Sequence, residues 1–246
     1  MKETKLKART GEILDRLEKL YPDADCELDY RNAYELLIAT ILSAQCTDKR
    51  VNSVTPSLFA RYPTAKDLAV ASLLEVEEII RSTGFFRSKA KSITSCAQSL
   101  VDQHGGEVPR DFDAAVKLKG VGRKTANVVL GHVYGIAEGI AVDTHVLRLS
   151  ARLALTKADD PIHVEQDLMK IVPQKRWIKT TDLLIFHGRR ICDARRPRCG
   201  ECGIFDVCPW PSKQAYAMGG ITPKKVTTPQ KSVRKKAGAN RMGRKG

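Results

Sequence analysis

Four cysteines near the end of this 246-residue chain carry the clearest chemical signal in its sequence: Cys192, Cys199, Cys202 and Cys208, spaced C-x6-C-x2-C-x5-C. Thiolates bind metals, and four of them complete either a tetrahedral zinc site or the coordination of an iron–sulfur cluster. Structural zinc sites usually pair two tight knuckles, whereas this segment has one knuckle with a single cysteine on either side. The spacing therefore favours a cluster, with zinc as the alternative and disulfides a distant third.

Residues 118–126, LKGVGRKTA, place two glycines between the end of one apolar helix and the start of the next. Glycine lets the backbone turn tightly and leaves its N–H groups unobstructed. Such groups at a helix N-terminus, aided by the helix dipole, can bind a DNA phosphate. An ordinary helix–helix turn is the alternative, but the flanking basic residues favour a phosphate site. The residues concerned are Lys119, Gly120, Val121, Gly122 and Arg123.

Lys124 follows this turn directly, in the first turn of the next expected helix. A free lysine has a pKa near 10.4, so only about one amine in 2,500 is neutral at pH 7. The helix dipole opposes an ammonium at this end, and partial burial would disfavour the charge further. Both effects would lower the lysine pKa and favour an amine nucleophile. The alternative is a lysine that only contacts phosphate.

Asp143 lies in residues 141–148, AVDTHVLR, immediately before a helical pattern. An aspartate at this position is most often an N-cap. It can also serve as a site carboxylate if the helix start faces a cleft. There it would stabilise positive charge developing on a sugar and help to move protons. The sequence leaves both roles open.

The segments that must position these residues read as a succession of helices, and none alternates convincingly as a strand. Helix starts are indicated at Asn32, at the capping box Ser72-Leu-Leu-Glu75, at Asp111 for a helix through Leu118, at Arg123 for one to about Val133, at Asp143, at Asp160 with proline following, and at Trp177 for one to Cys192. The sequence therefore predicts an all-α fold with short loops.

The net charge of +14 is concentrated at the C-terminal end. Residues 212–246 contain ten Lys and Arg and no acidic residue, so residues 1–211 carry only +4. This segment has no apolar periodicity, and we expect it to be disordered. A basic tail can add affinity for nucleic acid through counterion release, or it can be a solubilising appendage.

No apolar stretch approaches the roughly 18–20 residues that a membrane span needs. Residues 13–21 have helical apolar spacing, so the basic N-terminus predicts an amphipathic helix instead of a signal peptide. We expect a reducing, intracellular compartment, which suits metal-bound thiolates. The other cysteines, Cys26, Cys46 and Cys96, are expected to be small buried hydrophobic residues.

Five motifs in order together resemble the endonuclease III family, the helix–hairpin–helix DNA glycosylases with a 4Fe–4S cluster. They are LSAQCTD at 42–48, STGFFRSKA at 82–90, the hairpin at 118–126, VDTH at 142–145, and HGR at 187–189 ahead of the cysteine pattern. The resemblance runs from about residue 10 to 211.

The resemblance implies two helical lobes with a DNA-binding cleft between them. One is a six-helix barrel at 27–137 with the helix–hairpin–helix. The other is an iron–sulfur cluster lobe made of 1–26 and 138–211, and its cluster would support a basic loop among 189–198. The tail at 212–246 lies outside this core.

The resemblance also implies a reaction, a bifunctional DNA glycosylase and abasic-site lyase that removes oxidised pyrimidines in base excision repair. Lys124 matches the nucleophile that attacks C1′ and forms a Schiff base before β-elimination, and Asp143 matches the essential carboxylate. Gln45 and Phe85 match residues that fill the gap left by the flipped nucleotide, and His145 is a further expected DNA contact. Because Phe85 and Phe86 are successive, they cannot both point into the core.

The expected partner is double-stranded DNA with damaged bases or abasic sites, bound by a monomeric cytoplasmic protein associated with the bacterial nucleoid. Two departures from the family pattern stand out: Lys119 replaces a usual proline, and Phe85 is bulkier than the usual aliphatic wedge. The rivals are a mismatch adenine glycosylase, which generally lacks the lysine, an 8-oxoguanine glycosylase, which lacks the cysteine loop, and a non-catalytic DNA-binding protein.

Overall fold

A computed structural model describes residues 2–219, and within them every regular element is helical. The α-helices are α1 Lys2–Leu20, α2 Ala33–Leu42, α3 Asp48–Arg61, α4 Ala65–Ala69, α5 Leu73–Ile80, α6 Phe86–His104, α7 Phe112–Ala115, α8 Arg123–Tyr134, α9 Thr144–Arg152, α10 Pro161–Ile171, α11 Trp177–Arg190 and α12 Lys213–Ala217. Short 3-10 turns occupy Arg81–Thr83, Gln174–Arg176 and Cys199–Glu201. The predicted all-α class is confirmed.

Apolar side chains of these helices form two separate buried clusters. The first is built from residues between 28 and 130, that is, from α2 to α8. The second combines residues 13–24 of α1 and the following turn with residues 140–204. The N-terminal helix thus packs against the C-terminal half of the chain. Helices α8 and α11 contact each other and join the two clusters.

Local capping chemistry explains where several helices begin. The side chains of Asn32, Asp111 and Asp143 accept hydrogen bonds from backbone N–H groups of the turn that follows each. Asp160 does the same ahead of Pro161, which occupies the first helical position. These four starts agree with the sequence prediction.

The capping box predicted at Ser72 is wrong. The Ser72 side chain makes no capping hydrogen bond. Glu75 instead accepts a hydrogen bond from the Tyr62 hydroxyl at 2.7 Å, because α3 brings that tyrosine within reach. A reciprocal capping box forms at Thr64 and Asp67, at the start of α4.

Three further details differ from the sequence expectations. The helix that begins after Asp111 ends at Ala115, before Leu118. Residues 27–137 contain seven α-helices, α2 to α8, instead of the expected six, and α4 and α7 are only five and four residues long. Residues 213–217 form α12, so the segment predicted to be disordered begins with a helix, and its remainder from 220 lies outside the described residues.

The first turn of this C-terminal helix is fastened to the cysteine loop. The Lys213 ammonium donates hydrogen bonds to the carbonyls of Phe205 and Cys208, both at 2.6 Å. The Trp210 and Tyr216 rings stack with their centroids 5.3 Å apart. These contacts offset the entropy cost of ordering the segment. Burial of its own, mostly polar side chains could not offset that cost.

Along residues 2–219, the structure contains no helix with the length and apolar character needed to cross a lipid bilayer.

Candidate active site and cysteine centre

The glycine-containing hairpin lies between α7 and α8. Leu118 and Val121 are buried and anchor it to the first cluster. The Val121 N–H donates to the Leu118 carbonyl at 3.1 Å, which closes the turn. Gly120 has φ +80°, a left-handed conformation that favours glycine. The exposed face of the turn carries Lys119.

Gly122 has a different reason to be glycine. Its φ of −98° is ordinary, and a Cβ at this position would meet no atom within 4 Å. Nothing inside the protein therefore requires glycine here. Gly122 is the N-cap of α8 and offers no side chain to the N–H groups of the first turn. The open space and the free N–H groups suit the close approach of an anion.

Arg123, predicted to contact DNA, is engaged within the protein. Its Nη2 atom lies 3.1 Å from Oε1 of Glu165 on α10, and its guanidinium stacks over the Phe112 ring at 4.9 Å. The Asn127 side chain donates to the same Glu165 oxygen at 3.1 Å. Arg123 therefore connects α8 to the second cluster, and its role as a DNA contact stays a prediction.

Lys124 lies in the first turn of α8 with its side chain exposed. The Lys124 side chain therefore lacks the partial burial that would disfavour its charge. Among residues 2–219 its ammonium has no hydrogen bond or ion pair. The amine is thus accessible from solvent at the N-terminus of the helix that follows the hairpin.

Asp143 caps a helix, and its geometry leaves the second role, that of a site carboxylate, open to it. Its Oδ1 atom accepts hydrogen bonds from the backbone N–H groups of His145 and Val146, each at 2.8 Å. Its Oδ2 atom makes no hydrogen bond within the described part of the chain. The residue is half-buried. One oxygen caps α9, and the other remains available to a reacting group.

Asp48 belongs to the same neighbourhood, although the sequence predicts no role for it. Burial raises the pKa of the Asp48 carboxyl, the charge of Lys124 opposes that increase, and the charge of Asp143 adds to it. Lys124 and Asp143 therefore both lie close enough to Asp48 to act on its charge. The motif at 42–48 contained the only sequence signal for Asp48, since it ends at that residue.

An arginine ties this neighbourhood to the second cluster. Nη2 of Arg189, on α11, lies 2.7 Å from Oδ2 of Asp48, and its Nη1 pairs with Glu27. Arg189 was expected in a loop that meets the DNA backbone. In this structure it is an internal clamp between α11 and the start of α3.

Gln45 and Phe85 are both exposed and both strained. Their φ angles are +53° and +47°, left-handed values that are uncommon for residues with a side chain. Phe85 is 70% exposed, whereas Phe86 packs against the first cluster. This agrees with the expectation that the two successive rings cannot both point into the core. Such strain persists only where the surroundings impose it, and it concentrates at functional sites.

His145 is held by α9 and α11. Its Nδ1 atom lies 3.1 Å from Nη2 of Arg148, so it accepts that hydrogen bond. Arg148 also donates to the carbonyls of Gly188 and Cys192. A Cβ on Gly188 would lie 2.8 Å from the His145 ring, which explains the glycine there. The DNA contact expected of His145 stays a prediction.

The four cysteines of the C-x6-C-x2-C-x5-C pattern line one cavity and form no disulfide. Sulfurs around a single zinc ion lie about 3.8 Å apart, given Zn–S bonds of about 2.3 Å. Among residues 2–219, the one group of three or more ligand atoms close enough to share an ion is Asp25, His132 and Asp182. No three of the cysteine sulfurs form such a group, and four thiols on one cavity are a donor set that fits an all-thiolate cluster.

Polar groups around this cavity face the sulfurs. The Arg152 guanidinium donates to Sγ of Cys192 at 3.2 Å, and Nε2 of His187 lies 3.5 Å from Sγ of Cys202. Burial raises the pKa of the Cys202 thiol to about 11. A metal must therefore displace the thiol proton as it binds.

Two arginines of the loop between the first two cysteines are free for an external partner. Arg195 and Arg196 are exposed, and their backbone N–H groups bind Oδ1 of Asp193. Neither forms an ion pair with any residue that the structure describes. Arg198, in contrast, pairs with Glu201.

The three other cysteines are buried to different extents. Cys96 is fully buried, as predicted, whereas Cys26 and Cys46 are only partly so. Burial raises the pKa of Cys26 to about 11 and that of Cys96 to about 12.

Two protein-family models match the chain. The model described as an HhH-GPD superfamily base excision DNA repair protein matches residues 38–174. The model of the iron-sulfur binding domain of endonuclease III matches residues 192–208, the cysteine segment.

Proteins similar to this chain include curated enzymes and a solved complex. Endonuclease III of Synechocystis sp. is 56% identical over 203 residues, which are 82% of this chain and 93% of that protein. Endonuclease III of Escherichia coli K12 is 43% identical over 84% of this chain and 98% of its own length. A solved structure of a trapped endonuclease III–DNA covalent intermediate is similar with a TM-score of 0.80 and 47% identity, covering 85% of this chain and 98% of that one.

Proposed function

This chain belongs to the endonuclease III family, and from that premise we propose that Lys124 and Asp143 carry out its reaction. It is a bifunctional enzyme of base excision repair, a DNA N-glycosylase and abasic-site lyase. The observation that supports the two assignments most is their joint location: an exposed amine and a carboxylate with one free oxygen lie in one neighbourhood beside the open hairpin.

The proposed reaction starts at Lys124. Its neutral amine attacks C1′ of the damaged nucleotide, and the bond to the base breaks as the base leaves with the bonding electrons and takes up a proton. The resulting secondary ammonium loses a proton, and its nitrogen then forms a double bond to C1′ as the C1′–O4′ bond breaks. O4′ takes up a proton, and the open sugar is left as a Schiff base on Lys124. Loss of a C2′ proton expels the 3′ phosphate by β-elimination and cuts the strand.

Asp143 acts on charge and protons in this scheme. The free Oδ2 atom stabilises the positive charge that develops on the sugar as the base leaves. The same atom can accept and return a proton between the two chemical steps. Oδ1 stays bound to the α9 backbone, so the carboxylate keeps its orientation throughout.

DNA binding is assigned to the surfaces around this site. The N–H groups at Gly122 and the hairpin bind a phosphate, with Lys119 beside them. Gln45 and Phe85 fill the gap left by the flipped nucleotide, and their exposure supports this assignment. Arg195 and Arg196 contact the backbone of the duplex.

The enzyme carries a 4Fe–4S cluster, and we propose Cys192, Cys199, Cys202 and Cys208 as its four ligands. When bound, the cluster supplies a rigid crosslink to the segment that presents Arg195 and Arg196, and no step of the reaction passes through it.

The remaining assignments are also proposals. The lobes are 27–137 and, together, 1–26 with 138–211, which the two apolar clusters support. The substrate is an oxidised pyrimidine in double-stranded DNA, the protein acts as a monomer, and it works in the cytoplasm at the bacterial nucleoid.

Borohydride trapping tests the proposed nucleophile. The holoenzyme is mixed with duplex DNA that contains one abasic site, and the Schiff base is reduced to a stable protein–DNA adduct. We expect the wild type and Lys117→Ala to form the adduct and Lys124→Ala to lose it by at least a hundredfold. Lys117 is an exposed lysine of the same segment and controls for the lost charge. An undiminished adduct from Lys124→Ala would overturn the assignment.

A further inference from the structure

A buried lysine holds the turn that carries the exposed Phe85 ring. Lys89 lies in the first half of α6 and is only 5% exposed. Its ammonium donates to the Thr83 carbonyl at 2.8 Å, and this bond is itself buried. Among residues 2–219 the ammonium has no other hydrogen bond and no ion pair. Burying a cation without an anionic partner costs free energy, so a lysine at this buried position is expected to have a structural or functional role.

The turn joins α6 beside this bond. The backbone N–H of Lys89 donates to the Phe85 carbonyl at 3.0 Å, which is the ordinary first-turn hydrogen bond of α6 and does not depend on the side chain at position 89. The ammonium bond to the Thr83 carbonyl holds the backbone on the other side of Gly84. Gly84 and Phe85 both have positive φ, +69° and +47°.

The turn would not keep this shape by itself. Phe85 is the N-cap of α6 in a left-handed conformation, and it has no side-chain capping bond. A residue with a Cβ pays strain in that conformation. The 3-10 turn Arg81–Thr83 ends at Thr83, where carbonyls lack helical partners and carry partial negative charge. An ammonium satisfies such a carbonyl more strongly than a neutral donor does.

The surroundings of Lys89 disfavour its charge. Burial lowers the pKa of the Lys89 ammonium.

We propose that Lys89 is a positioning residue for strand separation: it fixes the Gly84–Phe85 turn so that the Phe85 ring projects, ready to enter the duplex. This rests on the proposed function, in which Phe85 fills the gap of the flipped nucleotide. Without the ammonium, the buried Thr83 carbonyl loses its partner and Phe85 relaxes out of its left-handed conformation. The ring then reaches the gap more rarely.

Kinetics on two substrates test this inference. An abasic site in duplex DNA needs its nucleotide flipped, whereas one in single-stranded DNA does not. We expect Lys89→Met to reduce kcat/KM for duplex cleavage at least tenfold and to change single-strand cleavage less than threefold. Lys89→Arg keeps a charged donor, and it should restore duplex cleavage to within about threefold of the wild type.

A fluorescence probe follows the duplex directly. 2-Aminopurine is placed opposite a tetrahydrofuran abasic analogue, which the enzyme binds without cleaving, so that the brightening on binding reports the unstacked base. Lys89→Met should lose most of that increase, as should the reference variant Phe85→Ala. Gly84→Ala strains the same turn without touching the buried lysine, because a Cβ there meets no atom within 4 Å. It should shift both readouts in the same direction even if Lys89→Met fails to fold.

The outcomes separate this inference from the proposed function. If Phe85→Ala leaves duplex cleavage and fluorescence unchanged, the wedge assignment fails and the role of Lys89 fails with it. If Phe85→Ala is defective but folded Lys89→Met and Gly84→Ala behave as the wild type, only the inference about Lys89 is overturned. Equal losses on duplex and single-stranded DNA would also overturn it, because they indicate a general folding defect.

Discussion

Oδ1 of Asp143 accepts the backbone N–H of Val146 at 2.8 Å, so the carboxylate expected to act in the reaction also starts helix α9. Replacing Asp143 with Asn separates the two functions. The amide keeps an oxygen that can cap the helix, but it loses the negative charge.

We expect Asp143→Asn to unfold within a few °C of the wild type while strand cleavage falls at least a hundredfold. Asp143→Ala also loses the cap and should cost about 1 kcal/mol of stability. Thermal unfolding and single-turnover cleavage measure the two effects. If the Asn variant cleaves normally, Asp143 is only a cap.

Gly122→Ala tests the anion site at the start of α8. The added methyl group meets no protein atom within 4 Å, so stability should change by less than about 1 kcal/mol. The methyl would obstruct a phosphate that approaches the N–H groups, and we expect affinity for abasic-analogue duplex to fall at least tenfold with a shallower salt dependence. Fluorescence anisotropy across a salt series measures both, with Lys117→Ala as the control. Unchanged binding would contradict a phosphate at Gly122.

Gly139→Ala should be strongly destabilising because its methyl would overlap Oε1 of Glu165 and come within 2.8 Å of the Asn127 amide. Those groups and Arg123 form the polar contact between α8 and α10. We expect a loss of about 2–3 kcal/mol in chemical denaturation. Gly11→Ala, inside α1 with no atom within 4 Å, is the matched control and should gain about 0.5–1 kcal/mol. Equal stability of the two variants would refute this reading of the contact.

The His132–Asp182 pair gives the stability a pH dependence. Burial disfavours the charged ring, but the hydrogen bond and charge of Asp182, 3.2 Å away, outweigh it and raise the pKa of His132. A raised folded pKa stabilises the protein fully below the unfolded value of about 6.5, and the benefit is lost as pH rises through the folded pKa.

We therefore expect His132→Gln to cost on the order of 1 kcal/mol at pH 5.5 and clearly less at pH 8.5. Unfolding of both proteins at the two pH values measures the difference. Asp25→Asn is the control, because the carboxylate of Asp25 is exposed and 3.6 Å from the ring. A cost that grows with pH would contradict the assigned direction.

Arg152 should slow release of the cluster. Its guanidinium donates to Sγ of Cys192 and to the carbonyls of Asp193 and Ala194, so it holds the loop and one proposed ligand together. We expect Arg152→Met to lose its visible cluster absorbance several times faster under a chelator. Arg61→Met removes an exposed ion pair on the part of the chain that forms the first cluster. This variant should lose its cluster absorbance at the rate of the wild type. Identical rates for both variants would exclude this role.

Patterns that depend on neighbouring residues were predictable from sequence. The N-caps at Asp111 and Asp143, the hairpin and the all-α class follow from chemistry within one or two helical turns, where spacing along the chain sets spacing in space. The cysteine spacing likewise pointed to a cluster, because the four cysteines lie within one 17-residue segment. The capping box predicted at Ser72 failed because Glu75 binds a group that is distant along the chain. Its carboxylate accepts a hydrogen bond from Tyr62, at the end of α3.

Only the tertiary structure decided which distant groups meet. The sequence shows neither that Asp48 shares the neighbourhood of Lys124 and Asp143 nor that Arg189 is a clamp. The sequence contains both Arg123 and Glu165, but it does not show that these residues, 42 positions apart, bind each other. Such pairs form because the apolar faces of the helices pack in one arrangement, which brings together side chains that no local spacing relates.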